Sequence, residues 1–407
     1  MIDFRPFRAI RPTRDKAYLV ATRSYVSYPE QALLDKLNNN PYTFLHVINP
    51  EKARSSGVQG VEKYKLVKEA FKTFCNEGVF IEDERPSYYI YRQSTPEHIF
   101  TGFIGAVSVK DYEEGRIKIH EHTLTKREEM FAEYLYHTGF NAEPVLLMYP
   151  WQPKLREVLE RYLFIRPEYE FTSTDKILHE LWVVCDLNSI EIIQHCFDCL
   201  DKVYIADGHH RTASSALLHK RLQAEGADSK ESGYFMAMML PESELVIDSF
   251  FRLLENPSES KYNEIISFIR AHCPMLPSSG VTESGQFSMY CNEGWLRFAF
   301  PEEWYDAKNE SESLDASLLF DCILNPVAGV QDAKENHFLH YMPTPEGRTK
   351  AELWAAEHPF SLVFELAPIR PDVIKRIADK HQVMPPKTTY ILPKLRSGLT
   401  IYNLNTL

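Results

Sequence analysis

Apolar and polar positions along this chain change period repeatedly, and the changes mark its elements. Helical spacing runs through residues 29–38 and 60–78, a charged helix is expected over Thr125–Thr138, and another over about 152–165. Strand signals fill the intervals: Tyr88-Tyr89-Ile90-Tyr91-Arg92, Thr101 to Val109, Arg116 to Thr123, Pro144 to Tyr149 and Lys176 to Val184. Glycines 102 and 105 inside the second run suggest bulges or the close approach of another backbone. A packed helix around Ile190, Ile192, Ile193 and Phe197 leads to a short buried strand, Lys202 to Ala206. After that strand Ala213, Ala216, Leu217 and Leu222 recur at helical spacing. Beyond a polar, turn-rich stretch at 255–261 come a helix, strands near Phe287–Tyr290 and Trp295–Phe300, and helices near 315–325 and 371–381. The alternation implies an α+β (mixed α/β) architecture around a central mixed sheet. A lobe over 1–255 is expected to carry the strand–turn–helix element at 202–222, and a smaller α+β lobe to span 256–407, its Met384 to Leu399 tail packing back on the first.

Composition narrows the function classes. The chain has 407 residues, 44% hydrophobic and 13% aromatic, enough for a substantial core. Its 57 acidic against 45 basic residues leave a net charge of −12, which opposes a broad grip on nucleic acid or an anionic membrane but permits a local basic pocket. The seven cysteines are scattered and odd in number, unlike a disulfide framework. Cys196 and Cys199 have C-x-x-C spacing beside His195, but without a second pair and within an apolar helical pattern they read as structural. The start of the chain shows no signal-peptide core, and no run approaches about 18 apolar residues, so a cytoplasmic location is expected.

The densest chemistry lies at Asp207-Gly208-His209-His210-Arg211, where a strand should turn into a helix. Glycine tolerates positive φ, and the next backbone N–H groups are the unbonded donors of a helix start. The helix dipole favours an anion there, and Arg211 adds a fork of donors suited to phosphate or carboxylate. Asp and Gly are also ordinary turn and cap residues. Two histidines and an arginine in the same turn exceed what a cap requires, especially if the surrounding surface is poor in carboxylates. The glycine-rich phosphate loops G-x-x-x-x-G-K-[ST] and G-x-G-x-x-G are absent.

Other candidates are weaker. His120-Glu121-His122 closes a predicted strand, where alternation puts both histidines on one face as a metal-chelating pair or a plain surface strand. Glu121 is a candidate general base or magnesium ligand. Lys387, Lys394 and Arg396 form a proline-rich run without acids, presentable to an anion or simply solvating a tail. Arg252 is a further cation of this kind.

Several segments together resemble the bacterial domain-of-unknown-function family numbered 1015. They are Arg5-Pro6-Phe7-Arg8, Asn40-Pro41-Tyr42, Tyr88 to Gln93, Ile119 to Thr123, Leu178-His179-Glu180-Leu181-Trp182, Ile205 to Arg211, Met384-Pro385-Pro386-Lys387 and Pro393 to Leu399. The Asp-Gly-His-His-Arg loop also resembles the signature loop of ParB-type proteins, sulfiredoxin and free serine kinases. That resemblance implies nucleotide phosphates on Gly208, His209, His210 and Arg211, with Asp207 near a metal or hydroxyl, and it is a fold-level analogy. The expected activity is nucleotide-dependent phosphoryl transfer to a small hydroxyl metabolite, with ATP or ADP and Mg²⁺. Glu121 or Asp207 would orient or deprotonate the hydroxyl, Lys387, Lys394 and Arg396 would close over phosphates, and His120 and Arg252 would meet substrate. A nucleotide-sensing regulator related to ParB is the main alternative, and a metal-dependent hydrolase using His120, His122 and His209 the third. The expected partners are small molecules rather than membranes or nucleic acid, and a homo-oligomer is compatible with these features. The chain departs from the family pattern at Val26, where an acid is usual, at Met130 and Phe131, where Asp-Arg is usual, and at Phe251, where His or Asn is typical.

Overall fold

The structure, a computed structural model, describes residues 1–50, 57–255, 258–305, 309–333 and 336–404. The chain divides into two compact units. One comprises Met1–Lys118, Thr123–Leu245 and Pro393–Leu407, the other Ile119–His122 and Val246–Leu392.

A nine-stranded sheet organises the first unit. From one edge the strands are Ile117–Lys118, Val203–Asp207, Val145–Tyr149, Tyr234–Pro241, Ile99–Ser108, Tyr88–Ser94, Leu178–Val184 and Tyr169–Thr172, with Phe4–Arg5 pairing to Ile99–Ser108. Val203–Asp207 runs parallel to Ile117–Lys118, and Tyr234–Pro241 parallel to Val145–Tyr149, while the other pairs are antiparallel. The expected mixed α/β architecture is thus the one adopted. Ile99–Ser108 is buried on both faces at every residue but its first, which is why it reads as a continuous apolar run. Its glycines mark close approach rather than bulges, because pairing stays in register through them. A Cβ on Gly102 would stand 2.4 Å from the Met239 carbonyl oxygen, and one on Gly105 would stand 2.5 Å from the Phe4 ring.

Two helices, Thr125–Thr138 and His209–Glu225, pack together in this unit. Arg221 joins them by an ion pair to Glu133 at 2.5 Å and lies 3.7 Å over the Tyr136 ring. The last segment also belongs here: Tyr402–Asn403 pairs with Phe140–Asn141, and Ile401 exchanges both backbone hydrogen bonds with Ile10.

The second unit holds an antiparallel six-stranded sheet in the order Met275–Leu276, Gly294–Ala299, Gln286–Cys291, Leu362–Leu366, Phe250–Leu254, Leu339–Pro343. The apolar run Phe250–Leu254 is fully buried there. The turn-rich stretch at 255–261 consequently joins two elements inside this unit, that strand and the helix Glu259–His272, and Asn256 and Pro257 lie outside the described residues. Ile265, Ile269, Phe287, Met289, Phe298, Leu319 and Phe364 form the centre of its core.

One expectation is corrected by the backbone. Strand pairing at 117–118 ends with Lys118, so His120, Glu121 and His122 are not on a pleated strand. His120 is buried and His122 exposed, and the shared face required for a chelating pair is lost with the alternation.

Candidate functional site

The junction after Val203–Asp207 is shaped by a bulge. Ile205 pairs with Leu147 while Asp207 pairs with Leu146, so Ala206 is an extra residue that bends the strand end and re-aims Asp207. Gly208 follows with φ +108, and the helix His209–Glu225 begins. The first ladder bond runs from Thr212 N to Gly208 O at 3.0 Å, so the helix opens directly after the glycine. His209 is buried and His210 half-buried.

Arg211 folds back across the turn. Its Nη2 donates to Asp207 Oδ2 at 2.9 Å, and its Nη1 is ion-paired with Glu143. A Cβ on residue 208 would lie 2.9 Å from the guanidinium, so glycine is the residue that permits this fold-back. On the far side of Asp207, Lys394 Nζ stands 3.4 Å from Oδ1, and Ser397 Oγ donates to Glu143 Oε2 at 3.0 Å. Two cations and two carboxylates therefore interlock at the start of a 17-residue helix. Burial draws the Arg211 pKa down to about 10. The two carboxylates in contact act the other way, so the guanidinium is cationic at neutral pH.

The remaining candidates are distributed differently. Arg396 is buried in the first unit but reaches Asp175, at 2.6 Å, rather than the junction. Asp175 is held down to about 2 against the cost of burial by its bonds to Arg396 and Ser173. His120, Glu121, Arg252 and Lys387 belong to the second unit. There Arg252 is 4% exposed and donates to the carbonyls of Phe250 and Lys387, and Lys387 Nζ sits 5.1 Å over the Phe250 ring. Among the described residues no group of three or more His, Cys, Asp or Glu side chains is placed to hold a metal ion. On the C-x-x-C segment Cys196 is buried and Cys199 exposed. Of the family departures, Met130 and Phe131 are exposed, Phe251 is buried in the second unit, and the side chain of Val26 lies outside the described residues.

Sequence reasoning missed Glu143 and the pairing it imposes on Arg211. The surface around the turn is not carboxylate-poor, because the short segment before Val145–Tyr149 brings Glu143 to it. Only the spacing of Asp207 and Arg211, four apart, was a local signal.

A mixed α/β fold with a charged strand–turn–helix junction defines the class of this protein. The chain belongs to the family described as Protein of unknown function (DUF1015), whose model matches residues 4–317. No curated protein matches it. Solved structures to which it is similar include C-terminally truncated SbnI from Staphylococcus aureus, at 12% identity and a TM-score of 0.40, over 74% of this chain and 87% of that one. A free serine kinase in complex with AMP is similar at 14% identity and a TM-score of 0.37, over 74% of this chain and 90% of that one. No helix among the described residues is long and apolar enough to cross a membrane.

Proposed function

We propose that the junction at 207–211 binds the phosphates of ATP or ADP and that the protein transfers a phosphoryl group to a small hydroxyl metabolite. The observation that carries this reading is Asp207 bridging Arg211 and Lys394 directly ahead of a helix N-terminus. An incoming phosphate takes over both cations, and this frees the Asp207 carboxylate. Phosphoryl transfer depends chiefly on positioning and charge neutralisation, and those are the parts gathered here. The loop's resemblance to ParB, sulfiredoxin and free serine kinase proteins adds support of the same kind.

In this reading Asp207 orients the acceptor hydroxyl and takes its proton. The substrate oxygen bonds to the terminal phosphorus as the bridging P–O bond breaks, and the shortened nucleotide leaves. Arg211 and Lys394 stabilise the charge on the transferring group, and Glu143 with Ser397 holds Arg211 in place. Mg²⁺, which takes one or two carboxylates plus phosphate oxygens, fits Asp207 and would neutralise phosphate charge when bound.

Titration calorimetry with ATP and ADP in magnesium tests the binding half: saturable heat is expected for one of them, and none for either overturns the reading. Arg211→Ala should weaken that binding about tenfold or more, the loss of a charge-assisted bidentate partner. A sensing role without chemistry is the second reading, favoured by the Arg211 fork being closed on its own carboxylates. Labelled nucleotide incubated with a metabolite pool separates the two. A new phosphorylated product, abolished in Asp207→Asn, marks an enzyme, and binding alone marks a sensor.

A further inference from the structure

The second unit contains a cavity of about 380 Å³. Its polar wall comes from two adjacent strands: Arg252 of Phe250–Leu254 is the direct antiparallel partner of Tyr341 of Leu339–Pro343, and both side chains line the space. Its apolar wall is a helical stripe, Ala316, Phe320 and Leu324, four residues apart along Asp315–Leu319 and Phe320–Leu324. The second of these segments is a π-helical turn, a form that occurs disproportionately at functional sites.

Arg252 has unusual company. Its hydrogen bonds go to the Phe250 carbonyl at 2.7 Å, the Ser249 hydroxyl at 3.5 Å and the Lys387 carbonyl at 3.3 Å, so every bonded partner is neutral, and the Asp315 carboxylate acts on it through space rather than through a hydrogen bond. A guanidinium taken out of water without a bonded carboxylate is costly. The other buried arginines among the described residues are paired: Arg11 with Asp83 at 2.8 Å, and Arg396 with Asp175. Arg252 lines a cavity instead. Asp332 also lines it, which disfavours a dianion, and the apolar stripe opposite suits a hydrocarbon body.

We propose that this cavity binds a small monocarboxylate, with the carboxylate on the Arg252 guanidinium and the apolar part along Ala316, Phe320 and Leu324. The site uses second-unit residues alone, so it and the nucleotide reading can fail separately.

Calorimetry without nucleotide or magnesium tests it, using butyrate and benzoate against 1-butanol, benzyl alcohol and inorganic phosphate. One saturable site is expected for an acid, about tenfold or more tighter than for its alcohol, as a charge-assisted bond to Arg252 requires. Arg252→Gln should remove that preference, and Ala316→Phe, which fills the cavity from its apolar side, should remove binding altogether. Absence of saturable binding by either acid, equal binding of acid and alcohol, phosphate binding as tight as the acids, or wild-type affinity in Ala316→Phe each overturns the proposal. Should Arg252→Gln fail to fold, the acid-to-alcohol ratio in the wild type and Ala316→Phe decide.

Discussion

Gly208 does two jobs in one residue. Its φ of +108 closes the turn between strand and helix, and its missing side chain leaves the space through which Arg211 reaches Asp207 and Glu143. An alanine there is strained in its backbone and meets the guanidinium at 2.9 Å. Gly208→Ala should cost about 1–3 kcal/mol, a typical magnitude for a residue forced into a sparsely populated conformation. Part of this loss comes from the contact with Arg211 and part from φ alone. In the double variant Gly208→Ala, Arg211→Ala the contact component disappears, so urea unfolding should show a combined loss smaller than the sum of the single losses. Strict additivity would mean that the guanidinium does not lie over the turn.

At the scale of the element, Leu178–Val184 carries a buried polar group that the sequence pattern treats as one more strand position. His179 is fully buried, with Nδ1 2.8 Å from Tyr91 Oη and Nε2 3.0 Å from Ser173 Oγ. Burial, with the nearby Arg396 charge adding to it, pulls its pKa from 6.5 to about 3, against a smaller opposing effect of Asp175. The unfolded chain therefore binds a proton between those values that the folded chain does not. Stability from this group is present above pH 6.5 and is lost as pH falls toward about 3, at up to about 1.4 kcal/mol per unit. Asp315 works in the opposite direction in the second unit: burial raises it to about 6, so its contribution is fully present below 3.8 and is lost as pH rises through 6. The informative measurement is a comparison: His179→Gln should be less stable than wild type at pH 7 yet show a shallower decline between pH 6.5 and 4. Parallel curves would exclude a buried neutral imidazole. Such strands show what a local pattern conveys. The periodicity of Thr125–Thr138 marked that helix at both ends, and the strand read over Lys176 to Val184 covers the observed Leu178–Val184. Neither indicates which polar side chains become partners, because Tyr91 reaches His179 only through the register of its strand against Leu178–Val184, and Ser173 reaches it across the turn that follows Tyr169–Thr172.

Over the whole molecule, the chain passes between its units four times, after Lys118, His122, Leu245 and Leu392. A division read along the sequence at one polar stretch, with a tail packing back on the first lobe, does not anticipate the short excursion at 119–122, because that crossing leaves no compositional trace. The same holds for the charged junction, whose Asp207 and Arg211 are sequence neighbours but whose Glu143 and Lys394 arrive from distant segments. The last crossing gives a direct test of this organisation. Residues from Pro393 onward supply the buried side chains of Leu399, Ile401 and Leu404, the Arg396–Asp175 and Lys394–Asp207 ion pairs, and strand pairing to Phe140–Asn141. Burial of a large aliphatic side chain contributes about 1.5–3 kcal/mol, so a chain ending at Leu392 should lose on the order of 5 kcal/mol from the first unit even after allowance for a compact unfolded state. Hydrogen exchange resolves where that loss falls. Amides of Val145–Tyr149 and Val203–Asp207 should lose protection in the shortened chain, while those of Gln286–Cys291 and Leu362–Leu366 keep theirs. Unchanged protection in the first sheet would show that the final segment lies on that unit without forming part of its core, and the placement of Lys394 beside Asp207 would lose its structural basis.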